Sequence, residues 1–258
     1  MLTFYQWLKQ WAFKPPYMEG VYLTPESIKY GDQWSSKEWI GSQISRLEDV
    51  RAKGSSYLPQ IPEGYDITCL MLNCLSNKNS ITVLDFAGGT GLTFFLLKHQ
   101  GGLLYPEKIS WHVVDSKTLC DLGEEFKAPD DKISFSQSLP EGSTYDAIYI
   151  NASLPYIDNH EDLFERLLAY NPATIVITRT LGGENNPDFF TQNYAITHIS
   201  YHIYNIPKLI NYFLTRGYDL VYKAKNMYEP PLASARFKNI PKEYQNYNTT
   251  NLVFLKKA

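Results

Sequence analysis

The sequence is poor in three things, and each shortage excludes a class of protein. Cysteine is scarce: 3 in 258 residues. Cys69, Cys74 and Cys120 lack paired CxxC spacing, so neither a disulfide framework nor a zinc site is expected, and no other metal set stands out. A reducing, cytoplasmic compartment fits that usage. Charge of one sign is also lacking, since 24 Lys and Arg face 27 Asp and Glu for a formal charge of −3. No basic footprint for nucleic acid results. Long apolar runs are missing as well; nothing approaches the ~18 uncharged apolar residues of a transmembrane helix. The apolar positions Phe4, Trp7, Leu8 and Trp11 follow a helical spacing interrupted by Lys9, with no small-residue cleavage site after them. That face is expected to pack on the domain, with weak peripheral membrane association or partner docking as the alternative.

What the chain has in excess is aromatic rings, 15% of residues, from 20 Tyr, 13 Phe and 5 Trp. Much of this excess lies in the first 40 residues and in the second half, between the elements of a repeating pattern. Residues 1–78 carry no strong strand signal. Helices are predicted there at 35–53, capped by Ser35 or Ser36 with Trp39, Ile40, Ile44 and Leu47 on one face, and at 66–75. After Asn79, short apolar runs alternate with helical patterns, the signature of βα units. Strands are predicted at 81–86, 109–115, 133–137, 145–151, 174–178, 218–224 and 251–256, with helices at 91–99, 118–126, 160–170 and 207–216. The expected fold is therefore α/β and Rossmann-like: a mostly parallel seven-stranded sheet flanked by helices over residues 79–258, preceded by a helical N-terminal extension, 1–78, covering the cleft. Residues 179–205 read as a long loop of the lid or binding type. The oligomeric state is left open.

The segment VLDFAGGTGLTFF, residues 83–95, is a strand ending in an acid, a small-residue turn and an apolar helix. Glycines in such a turn permit backbone angles closed to other residues and let a ligand approach the main chain. A phosphate-binding P-loop needs Lys after its last Gly, whereas Gly91 is followed by Leu92. The dinucleotide fingerprint needs a small residue where Phe94 stands, which disfavours NAD. What remains is a strand-end acid, Asp85, beside Ala87, Gly88, Gly89 and Gly91. This suits S-adenosylmethionine, whose ammonium and sulfonium are cationic. Asp115, ending the next strand, is placed to accept the ribose hydroxyls of an adenosine.

Segment 83–95 resembles the first motif of class I S-adenosylmethionine-dependent methyltransferases, with Ala87 where the usual motif has its first glycine. From about Gly20 to Asn226 the chain is similar to a family of methyltransferases often encoded among bacterial surface-polysaccharide genes. The likeness is carried by VLDFAGGTG, WHVVDS, YDAIYINASLPYI, IVITRT, TQN and SYHIY. Arg179 with Thr180, Gln192, and Ser200 with Tyr201 match that family's pattern, while its usual Pro is His202 here. The resemblance implies methyl transfer from S-adenosylmethionine to a small molecule or saccharide.

Ligands of open α/β sheets sit beyond the carboxyl ends of the strands. Asn151 and Tyr156, after the fourth predicted strand, are therefore candidates for the cofactor side. Arg179, Tyr201 and His202 are candidates for the acceptor, with His202 preferred over His198 as general base; His112 reads as a satisfied core residue. Two other readings stay open: a non-catalytic scaffold or partner of glycan enzymes on the same fold, and an NAD-dependent oxidoreductase.

Overall fold

The computed structural model describes residues 18–28, 34, 36–53, 68, 72, 74–75, 77–99, 108–185, 187–193, 199–225, 237–244 and 248–257. The predicted N-terminal face around Trp7 and most of the 66–75 helix lie outside the described residues, as do Cys69 and His198.

Five helices and eleven strands are described. The strands are β1 (Met18–Tyr22), β2 (Ile81–Phe86), β3 (Ile109–Val114), β4 (Ile133–Ser136), β5 (Ala147–Asn151), β6 (Thr174–Gly183), β7 (Phe189–Asn193), β8 (Ile199–Asn205), β9 (Tyr218–Lys225), β10 (Phe237–Lys238) and β11 (Asn248–Lys256). The helices are α1 (Lys37–Lys53), α2 (Leu92–His99), α3 (Lys117–Phe126), α4 (His160–Leu168) and α5 (Ile206–Leu214). All seven predicted strands are present, and they run side by side in the order β4-β3-β2-β5-β6-β11-β9. The sheet is mixed, however, and it is larger than expected. β4, β3, β2, β5 and β6 run parallel to one another, whereas β11 is antiparallel to both β6 and β9.

The central strands are apolar on both faces because helices or other packed segments cover both. Val83, Trp111, Tyr149 and Val176 point into a core shared with α1 and α2, while Leu84, Ile148, Ile175 and Phe254 point into one shared with α4 and α5. The helix signals act as anticipated. Ser36 Oγ accepts the Trp39 N–H at 3.2 Å, and Asn205 Oδ1 accepts that of Lys208 at 2.8 Å. Gly217, past the end of α5, takes φ +86°. On α1 the buried stripe is Gln43, Leu47 and Val50, while Ile44 is exposed, one position away from the predicted face.

Two further corrections concern regular structure where loop or helix was expected. The stretch after Thr178 is a continuation of β6 followed by β7 and β8, and the N-terminal extension contains a strand, β1. β5 stops opposite Thr178, and further along the edge it vacates β8 pairs in parallel at Gly182 and Gly183. Gly182 is a requirement of that junction, because a Cβ there would meet the Tyr204 carbonyl oxygen at 2.5 Å. β7 then pairs antiparallel with β8, β1 with β7, and β10 in parallel with β1. A third small core, Met18, Leu181, Phe189, Ile203 and Ile240, fills one face of this annex. The annex thus meets the main sheet at the carboxyl end of β6, where the candidate acceptor residues are.

Candidate functional site

The turn after β2 is held by its backbone. Ala87 and Gly89 both have positive φ, +52° and +64°, as does Gly91 at +73°. The Ala87 N–H donates to the Val114 carbonyl (2.8 Å) and that of Gly91 to the Gly88 carbonyl (3.1 Å). Gly88 lies directly on the acid before it, since a Cβ there would stand 2.4 Å from the Asp85 carboxyl carbon. A Cβ on Gly91 would strike Ile133 at 2.6 Å, whereas over Gly89 a Cβ would meet only the Gln43 side-chain oxygen, at 4.0 Å. Gly88 and Gly91 are therefore required by packing, and Gly89 leaves space above the turn.

Two acids pack on that turn, Asp115 by hydrogen bond and Asp85 from beneath Gly88. Asp115, just past β3, accepts the Gly89 N–H on Oδ2 at 2.7 Å and its neighbour Ser116's N–H on Oδ1 at 2.6 Å. Burial pushes its carboxyl above the usual range, and these two backbone bonds oppose that. Asp85 is fully buried, and Oδ2 accepts the Trp111 indole N–H at 3.0 Å while Oδ1 has no partner among the described residues. Burial pushes Asp85 up to about 7; the indole bond opposes this and the Asp115 charge adds to it. The Asp85 carboxyl lies under Gly88 and out of contact with anything above the turn, so it would favour a cation there through its charge rather than by a hydrogen bond.

The predicted residues on the far side divide. The Asn151 side-chain oxygen accepts the Thr178 hydroxyl at 2.8 Å, so it is already engaged within the sheet. Tyr156 stands at the rim with its ring edge-on to Trp34 (5.0 Å) and to Tyr201 (4.9 Å); Trp34 in turn meets Trp39 at 5.1 Å. Arg179 adopts φ +56° at a bulge between β6 and β11, where its N–H donates to Asn251 Oδ1 at 2.8 Å. His202 does not join this group. Its ring, 2% exposed, is stacked on Phe190 (4.4 Å), with Tyr204 at 3.9 Å and His160 at 4.9 Å. Neither ring nitrogen has a hydrogen-bond partner among the described residues, and the Asp188 carboxylate is 3.9 Å away. Burial, with the neighbouring His160 adding to it, pushes His202 down to about 3. This ring is neutral and a very weak base. His112 is satisfied on both nitrogens, by Ser136 at 2.9 Å and Tyr145 at 2.8 Å.

Sequence reasoning missed two contributors. Trp111 enters the sequence reading only within the motif WHVVDS, and Gln43 lies outside the face predicted for the 35–53 helix. Nothing in a single sequence marks either, because each acts through a partner far along the chain. Cavity size is a poor guide here. The cavities of about 370 and 210 Å³ lie beside Glu184, Lys223 and Thr250, and beside His160, Lys208 and Tyr212 respectively; neither is lined by the glycine turn or Asp115. Among the described residues no cluster of His, Cys, Asp and Glu is arranged to hold a metal ion, and no helix is long and apolar enough to cross a membrane.

No protein-family profile and no curated protein matches the chain by sequence. Solved structures do match by shape. The magnesium protoporphyrin IX methyltransferase ChlM from Synechocystis PCC 6803, with bound SAM, aligns over 88% of this chain and 94% of its own with a TM-score of 0.54 at 11% identity. The plantazolicin methyltransferase BpumL, in complex with SAH, aligns over 88% and 93% with a TM-score of 0.51 at 13% identity. At such identities the likeness bears on architecture, and the chain has the α/β, Rossmann-like methyltransferase fold with a mixed sheet.

Proposed function

We propose that the chain is an S-adenosylmethionine-dependent methyltransferase acting on an oxygen or nitrogen of a small molecule. The observation that carries this is the glycine turn between two acids, Asp85 buried beneath it and half-buried Asp115 bonded to the turn itself. The residues fit the cofactor. Asp115 keeps a second lone pair on each oxygen for ribose hydroxyls, Gly88, Gly89 and Gly91 bring main chain rather than side chain to the ligand, and Asp85 offers negative charge to a cation. Ala87 completes the turn, and Tyr156, between Trp34 and Tyr201, is assigned to the cofactor side. The shape-matched methyltransferases solved with SAM or SAH support the same cofactor.

When bound, S-adenosylmethionine supplies a methyl group on a positively charged sulfur. The chain's own task is to align an acceptor with that methyl in line and to keep water out. Residues 1–78, through Trp34 and α1, form the cover, and residues 79–258 form the methyltransferase domain. Tyr201 and Arg179 stand on the acceptor side. The rim of Trp34, Tyr156 and Tyr201 suits a saccharide or another ring, and the surface-polysaccharide setting rests on sequence resemblance alone. His202 is not included as general base, because a sealed imidazole pushed down to about 3 takes up no proton near neutrality. A cytoplasmic setting agrees with the cysteine usage and with the cofactor.

Calorimetric titration with S-adenosylmethionine and S-adenosylhomocysteine tests the reading. Micromolar binding is expected, weakened at least tenfold in Asp115→Ala. Absence of heat from either ligand with folded protein overturns the proposal, and heat from NADH instead would make it an oxidoreductase. An unchanged affinity in Asp115→Ala removes that residue from the site.

A further inference from the structure

α1 carries one polar residue where its neighbours on the same stripe are apolar. Gln43 is 6% exposed and lies one helical turn before buried Leu47, itself followed by buried Val50. A leucine or methionine in its place would continue the packing against α2 without burying a polar group. The carboxamide N–H makes only a long contact with Ser42 Oγ, 3.4 Å. Its oxygen accepts no hydrogen bond from the described residues, yet it is the atom that faces Gly89 across the space above the turn, 4.0 Å from where a Cβ would be. The Gly89 N–H cannot satisfy it, because that donor is spent on Asp115. The side-chain oxygen of a residue only 6% exposed, with no donor among the described residues, thus overhangs a turn that glycine keeps clear.

We propose that Gln43 is a cofactor-binding residue whose side-chain oxygen accepts a hydrogen bond from the ammonium group of the S-adenosyl ligand, so that α1 is part of the cofactor site and is clamped when the ligand binds. The inference rests on the cofactor reading above. Gln43 Oε1 faces the turn without a donor among the described residues, and of the ligand's parts only the ammonium offers three N–H groups together with a positive charge, which the Asp85 carboxyl beneath Gly88 favours through its charge. The linkage works in both directions. A ligand held by α1 and by the β2 turn at once ties the N-terminal helix to the main sheet, and protection of α1 rises with ligand occupancy.

Two variants and one truncated ligand test this, with melting midpoints confirming that each variant folds. Gln43→Leu keeps the volume and removes the acceptor, and S-adenosylhomocysteine is expected to bind about tenfold more weakly. Gln43→Glu keeps an acceptor and adds charge beside the ammonium, so affinity is expected to return to the wild-type value or exceed it. The probe 5′-methylthioadenosine, measured directly or by competition, lacks the amino-acid half and is expected to bind Gln43→Leu and wild type within twofold. Hydrogen exchange of residues 37–53 should slow on adding S-adenosylhomocysteine to wild type, and less so in Gln43→Leu. Equal S-adenosylhomocysteine affinity in wild type and Gln43→Leu overturns the inference. So does an equal loss for both ligands, or the same weakening in Leu and Glu variants, since a purely structural role would produce those results. If wild type binds no S-adenosyl ligand at all, the cofactor reading itself fails and this inference falls with it.

Discussion

The molecule buries two titratable groups at opposite sides of its candidate cleft, an acid under the glycine turn and an imidazole in the annex, and the same force acts on both in opposite senses. Desolvation favours the neutral form of each, so Asp85 is pushed up to about 7 and His202 down to about 3. Their surroundings differ. Asp85 has one donor, Trp111, and a glycine turn packed on its carboxyl group, whereas His202 has aromatic faces and a carboxylate 3.9 Å away. The acid is poised to change charge near neutral pH when a cation arrives, and the imidazole is locked uncharged across that range. A group fit for ligand chemistry is thus distinguished from one fit for packing by what stands next to it, since both are buried.

The hardest way to break the acid side is Gly88→Ala. The new methyl would lie 2.4 to 2.7 Å from the Asp85 carboxyl atoms with nowhere for them to move. Overpacking should cost about 3 kcal/mol, and S-adenosylhomocysteine affinity should fall on the order of a hundredfold by calorimetry. Asp85→Asn comes next. Because its native pKa is raised above the unfolded value, stability present at pH 4 and below is lost as pH rises through about 7. Denaturant titrations of wild type should show a decline of up to about 3 kcal/mol between pH 4 and pH 8, and the Asn variant should lack that decline. The imidazole side has the reverse slope. His202 is depressed, so its stability is present above about 6.5 and lost as pH falls toward 3. His202→Phe should resist acid by about 2 kcal/mol relative to wild type at pH 4 while leaving S-adenosylhomocysteine affinity unchanged. The smallest effect expected is from Trp111→Phe. Losing the indole donor should cost about 1.5 kcal/mol at pH 8, much less at pH 5, and move the pH of the Asp85-linked decline upward.

Legibility followed sequence distance. The βα units were readable because each strand, turn and helix is written within about 15 residues, and the placement of Asp85, Gly88 and Gly91 on one turn follows from that local order. β1, β7, β8 and β10 were not readable. Their pairing partners include Met18 with Asn193 and with Phe237, and segments such as MEG and TQN carry no apolar alternation. Gly182 and Gly183 read as the opening of a loop, whereas Gly182 is there so that β8 can approach β6. His202 follows Ser200 and Tyr201, which match the family pattern where His202 itself departs from it, but burial, which decides its basicity, is a property of Phe190, His160 and Tyr204 around it. Gln43 looked like a solvent-facing amide because the predicted face of α1 was one position off.

β1 has a consequence for the order in which the chain assembles. Its two neighbours come from residues 189–193 and 237–238, so the strand is synthesised well before either of the strands it pairs with. Contacts of such long sequence separation form slowly, because the loops they close are long. The main sheet, built from local βα steps, is expected to assemble ahead of them, leaving the annex as the last part to close and the first to open under mild denaturant. An early strand waiting for later partners makes the acceptor side of the cleft the late-closing side.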